Sequence, residues 1–136
     1  MRKRNYKSKG NHYKLIVSEQ VMTLTPLLHL DVIEEMENFL NRIRLPEKIR
    51  PKLDFGYKIE GQSVIVLEIF PDTDNPSIFF DYPVAKATYI KSKNHWKVFG
   101  LRANMKWNSY PHQPIVGNIA AFCKLVEEDE YYYFWG

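Results

Sequence analysis

The sequence predicts an α+β fold: a meandering antiparallel sheet of four to five strands with helices packed on one face. Three observations predict it. The elements run in the order helix, two hairpins, a further short strand, helix. The strand pairs are joined by turns too short to hold a helical crossover, which excludes a parallel sheet. Of the 136 residues, 45% are hydrophobic and 15% aromatic, enough for one modest core and too much for a disordered chain.

Residues 1–12 lack apolar periodicity and read as a basic flexible arm, which leaves 13–136 as a single α+β domain. Residues 13–24 (YKLIVSEQVMTL) are apolar enough to pack but show no clear period, so a strand and an irregular cover both fit. The first helix has two candidate starts. Thr25-Pro26 can act as cap and first-turn proline, and Asp31 with Glu34 can form a capping box. Ile33, Met36, Leu40 and Ile43 then recur at helical spacing and Phe39 widens the stripe. Arg42 and Arg44 sit late, where the helix dipole favours cations, and Leu45-Pro46 stops the helix.

The first hairpin pairs residues 52–60 with 63–70 around Gly61-Gln62, the glycine supplying a positive φ. Residues 71–77 (PDTDNPS) form a loop. The second hairpin pairs 83–91 with 95–103 around Lys93-Asn94, and a short strand over 105–110 follows. Pro111 and Pro114 bracket a connection to a second helix over 117–128, with Ile119, Phe122, Cys123 and Val126 on its apolar side. The closing YYYFWG is too apolar to stand in water. It either folds back on the core or meets a second copy in a homodimer.

Charge is segregated. Residues 1–14 carry Arg2, Lys3, Arg4, Lys7, Lys9 and Lys14 and no acid, whereas the whole chain is only +3. From Tyr82 to Val126 there is no acid but there are seven bases, Lys86, Lys91, Lys93, Lys97, Arg102, Lys106 and Lys124. A basic arm joined to a basic stretch suits a polyanion. No apolar run is long enough to span a membrane, and the basic N-terminus has no apolar stretch of a secretory signal behind it. The single Cys123 excludes an internal disulfide framework and points to a reducing, cytoplasmic setting. The four histidines lack metal-ligand spacing, and no nucleotide loop, dinucleotide fingerprint or nucleophile elbow is present, so neither metal nor cofactor is expected.

Strand parity singles out two charges. With Gly61-Gln62 as the turn, Phe55 faces Glu68 and Tyr57 faces Val66, which sets Glu68 on an apolar face. With Lys93-Asn94 as the turn, Ala87 faces Gly100 and Ala85 faces Arg102. Ala85, Ala87 and Gly100 are small and leave a hollow. An unpaired buried charge is costly, so Glu68 and Arg102 are expected to converge. They form either an ion pair that docks the hairpins or a cleft shared with Tyr57 or Lys106. A metal-nuclease template fails, because Asp54 and Glu68 fall on opposite faces and the triplet Glu68-Ile69-Phe70 lacks its lysine.

The segments LDFGYKIEGQSVIVLEI, PVAKATYIKSKNHWKVF, LRANMKWNSY and LVEEDEYYYFWG resemble a small bacterial family catalogued as domain of unknown function 3024. The resemblance runs from about residue 49 to 136. The family has no assigned activity, so the resemblance adds no catalytic residues. Members usually read E-I-R-P where this chain has Glu68-Ile69-Phe70-Pro71, and often K-W-H where it has Lys106-Trp107-Asn108. Glu68, Arg102, Lys106 and Trp107 are the matched polar or aromatic positions that remain.

The leading expectation is a nucleic-acid-binding protein that engages phosphates more than bases. Arg2, Lys3, Arg4, Lys7 and Lys9 would attract, and Lys97, Arg102 and Lys106 would dock. Cations mixed with Trp107 and Tyr110 also suit single strands, although Trp107 itself reads better as a core residue on a plain amphipathic strand. The alternatives are a nuclease-like hydrolase with Glu68 as general base and Arg102 as anion clamp, and a dimerising interaction module.

Overall fold

Thr25 starts the first helix. In the computed structural model, which describes residues 22–136, its Oγ1 accepts the Leu28 N–H at 3.3 Å and Pro26 takes the first turn, giving α1 (Pro26–Ile43). The arm and most of the 13–24 segment lie outside the described residues. The buried stripe of α1 is Val32, Met36, Phe39 and Leu40, and Ile43 packs against the same core. Val32, rather than the expected Ile33, leads it, because 32, 36, 39 and 43 complete one helical face.

The sheet runs β1 (Asp54–Glu60), β2 (Ser63–Pro71), β3 (Phe79–Ile90), β4 (His95–Leu101) and β5 (Trp107–Ser109) in that spatial order. A two-residue strand, β6 (Ile115–Val116), pairs with β4 beside β5. Every pairing is antiparallel, so the α+β meander holds. β6 is too short to show an alternation in sequence.

The first hairpin turns at Gly61, whose φ is 58°, and sets Phe55 opposite Glu68 as parity requires. The second turns differently. Ile90 pairs with His95 across a four-residue loop, a 3₁₀ turn (Lys91–Lys93) followed by Asn94 at φ 51°. Asparagine tolerates this left-handed conformation, and its Oδ1 accepts the Tyr89 hydroxyl at 2.8 Å. The longer loop moves the register by two residues. Ala87 therefore faces Val98 and Ala85 faces Gly100. An even shift leaves every side chain on its face.

β3 begins at Phe79, earlier than the expected residue 83, and Pro83 lies inside it. The β2–β3 register slips between Val66 and Leu67, so Ala85 faces Val66, Pro83 faces Leu67, and Val84 is the extra residue of a bulge. A bulge is where a strand tolerates a residue without an N–H.

Asn118 caps α2 (Ile119–Glu128), its Oδ1 accepting the Ala121 N–H at 2.8 Å. Both helices cover one sheet face. Met36, Phe39, Phe122 and Val126 meet Val64, Val66, Ala85, Ala87, Trp96 and Val98 there. Cys123 is buried with its Sγ 3.6 Å from Met36 Sδ, and burial pushes its thiol up to about 12, as befits a small core residue.

Candidate functional site

Glu68 lies on the helix-covered face, flanked in register by Phe55 and Tyr82. It is half-buried, and desolvation raises its pKa above the ordinary carboxylate range. Among the described residues it forms no ion pair within 4 Å. The expected convergence with Arg102 does not occur. The register shift puts Gly100, not Arg102, opposite Ala85, and Arg102 falls beyond the end of β4 in a turn closed by its N–H on the Lys106 carbonyl at 3.0 Å.

The hollow left by the small residues is filled from the C-terminal tail. A Cβ built on Gly100 would lie 2.3 Å from Tyr133 Cε1. On the same ring stacks the exposed Arg102 guanidinium, 4.2 Å from the centroid, and its Nη1 donates to the Tyr133 carbonyl at 3.3 Å. Tyr57 is engaged elsewhere. Its hydroxyl donates to Glu37 Oε2 on α1 at 3.0 Å, and burial together with this carboxylate pushes it up to about 12. Asp54 lies on the sheet face opposite Glu68. It accepts Arg44 Nε at 2.9 Å and Nη2 at 2.6 Å, a bidentate pair that raises the arginine's pKa.

Asp129 anchors the tail, a role that no sequence motif signals. It closes α2 with φ 38° and is buried. Its Oδ1 accepts the N–H groups of Tyr133 at 2.8 Å and Phe134 at 3.0 Å, and its Oδ2 accepts that of Trp135 at 3.0 Å. Trp135 Nε1 donates to the Val126 carbonyl at 2.7 Å and its ring meets Phe55 edge-on. The tail therefore folds back. Tyr131 and Tyr132 stay exposed, Tyr131 stacked on His112 at 3.6 Å.

The sheet face opposite α1 and α2 has a different chemistry. One cross-strand row reads Lys58, Ile65, Lys86, Phe99, Ser109, and the next reads Glu60, Ser63, Thr88, Lys97, Ile115. The Lys86 ammonium sits 4.9 Å from the Phe99 ring centroid and 4.8 Å from that of Trp107. Desolvation lowers the pKa of Lys86, and Glu60 opposes the shift. Trp107 is half-buried on this face, outside the helix-side core. Lys97 is exposed on the face, and Lys106 is exposed where the turn enters β5. Arg2, Lys3, Arg4, Lys7 and Lys9 lie outside the described residues. Lys86 and Phe99 are not among the site residues expected from sequence, although the alternation of residues 83–91 and 95–101 sets both on the face away from Ala87 and Val98.

Among the described residues no three His, Cys, Asp or Glu side chains gather as a metal site, and no helix is long and apolar enough to cross a membrane. The molecule is thus an α+β domain with one helix-covered face and a second face where Lys86 meets the rings of Phe99 and Trp107. The chain belongs to the family described as domain of unknown function DUF3024, whose model matches residues 24–136. That match takes in α1, which the resembling segments did not reach. No curated protein and no solved structure matches the chain.

Proposed function

We propose that this protein binds single-stranded nucleic acid through its phosphates, on the sheet face opposite the helices. The observation that carries the reading is Lys86 held between Phe99 and Trp107, with Lys97 on the same face. A cation beside two aromatic surfaces offers a phosphate contact and a stacking contact together. Arg102 and Lys106 extend the positive rim at the β4–β5 turn, and no acid interrupts the chain from Tyr82 to Val126. The arm's Arg2, Lys3, Arg4, Lys7 and Lys9 add long-range attraction without sequence preference.

The hydrolase alternative is weaker, because Arg102, its anion clamp, is turned onto Tyr133. A homodimer through the exposed Tyr131 and Tyr132 is compatible with nucleic-acid binding, and concentration-dependent mass in solution would reveal it. Nucleic-acid binding itself is tested by fluorescence anisotropy with mixed-sequence RNA and DNA oligonucleotides at ~50 mM salt, where phosphate-driven affinity is strong. Measurable binding that weakens steeply with added salt supports it. Absence of binding to both pools at that salt removes it.

A further inference from the structure

The helices leave one end of their sheet face uncovered. Phe55 and Tyr82 still pack against the core, but Phe70 and Phe80, one cross-strand row further out, do not. Phe70 and Phe80 face each other in register at the loop end of β2 and β3, with ring centroids 6.2 Å apart, and are 36% and 44% exposed. Met105 widens the patch from the β4–β5 turn. It is 59% exposed at φ 63°, and its Sδ accepts the Tyr82 hydroxyl at 3.7 Å. Methionine adapts its shape to whatever packs on it.

Glu68 stands at the boundary between the covered and the uncovered rows. Its neighbours on that face are Phe55 and Tyr82 across the ladder and Val66 and Phe70 along its own strand, so no cation lies beside it. Among the described residues it forms neither an ion pair nor a side-chain hydrogen bond. A half-buried carboxylate among rings is destabilising as it stands, and a cation with donors would relieve it. The charge around the patch has one sign. From Ile59 to Ala85 the chain carries five acids, Glu60, Glu68, Asp72, Asp74 and Asp81, and no lysine or arginine. Asp72 and Asp74 lie in the loop joining the strands of Phe70 and Phe80, which the Asp72 N–H closes on the Ile78 carbonyl at 2.8 Å. Such a surface repels a polyanion and attracts a basic partner.

We infer that this uncovered face docks a basic segment of a partner protein: an arginine whose guanidinium meets the Glu68 carboxylate, flanked by apolar side chains that cover Phe70, Phe80 and Met105. Arginine fits better than lysine, because its planar fork both bonds a carboxylate and lies flat on an aromatic ring. An open sheet face suits an extended chain, whereas a small molecule needs a concave site. Lys86 and Lys97 are on the opposite face, so this inference stands or falls separately from the nucleic-acid reading.

The test is a ¹H–¹⁵N titration of the full chain with the peptide acetyl-Ala-Leu-Arg-Leu-Ala-amide, with glutamine or glutamate in place of arginine as controls. Saturable shifts at Glu68, Phe70, Phe80 and Tyr82 are expected with the arginine peptide, and far smaller ones with either control. The Kd should rise about tenfold or more in Glu68→Gln, as for loss of a charge-assisted hydrogen bond. It should also rise in Phe80→Ser. Neither side chain is fully buried, and if one variant does not fold the other carries the comparison. No shift at these residues with millimolar arginine peptide overturns the inference. So do shifts that survive Glu68→Gln undiminished, or that the glutamine peptide reproduces. A concentration-dependent mass of the parent that Phe80→Ser abolishes would make a second copy the occupant and overturn it as well.

Discussion

The ring of Tyr133 occupies the space that a side chain would need at Gly100. A Cβ there would lie 2.3 Å from Cε1 and 2.7 Å from Cδ1 of that ring. Glycine is required there by the return of the tail, not by backbone conformation. Gly100→Ala should therefore destabilise the domain by about 1–3 kcal/mol, the usual cost of overpacking. Tyr133→Ala removes the clash, so the double variant should lose less than the sum of the two single losses. Urea unfolding midpoints of the four proteins check this.

Asp129 holds the same tail from the other side. Its carboxylate accepts three successive backbone N–H groups while buried. Asp129→Ala should cost about 3 kcal/mol, since bonds to a charged acceptor are the stronger kind and their donors are left without one. Asp129→Asn keeps one oxygen and should cost less. Near-UV circular dichroism should lose its Trp135 contribution in the alanine variant before global unfolding.

The fold was largely legible because each element carries a local signal. Thr25-Pro26 marks a helix start, Gly61-Gln62 marks a tight turn, and Ile119, Phe122, Cys123 and Val126 mark a buried face. Parity survived even where the turn was misplaced at Asn94, because the loop lengthened by an even number of residues. Register did not survive, and the Glu68–Arg102 pairing depended on register. The Tyr133–Gly100 and Asp129–tail interactions join distant parts of the chain or depend on a buried carboxylate in a left-handed turn, and neither leaves a period or spacing in sequence. Within Asp-Glu-Tyr-Tyr-Tyr-Phe-Trp, only the demand that aromatics leave water was readable.

Glu68 gives a pH test. Its folded-state pKa is raised from 4.5 by desolvation, so between the ordinary and the raised value the native state binds more protons than the unfolded chain. Stability contributed by this group is greatest below the ordinary carboxylate pKa and falls as pH rises through the raised value. Glu68→Gln should be at least as stable as the parent at pH 7. Its relative advantage should shrink near pH 4, as read from thermal midpoints at both pH values. A variant markedly less stable at pH 7 would show that the carboxylate has a favourable partner.

The central claim concerns the face bearing Lys86, Lys97, Phe99 and Trp107. The most direct measurement is the slope of log affinity against log salt for a labelled mixed-sequence single strand, compared between the parent and Lys97→Ala/Lys106→Ala. The slope should become shallower by about 0.7 for each phosphate that the variant no longer neutralises, the value for single strands. Trp107→Ala should weaken binding by about 1–3 kcal/mol, the worth of one stacked base. An unchanged slope in the lysine variant, together with full affinity in Trp107→Ala, would contradict the claim.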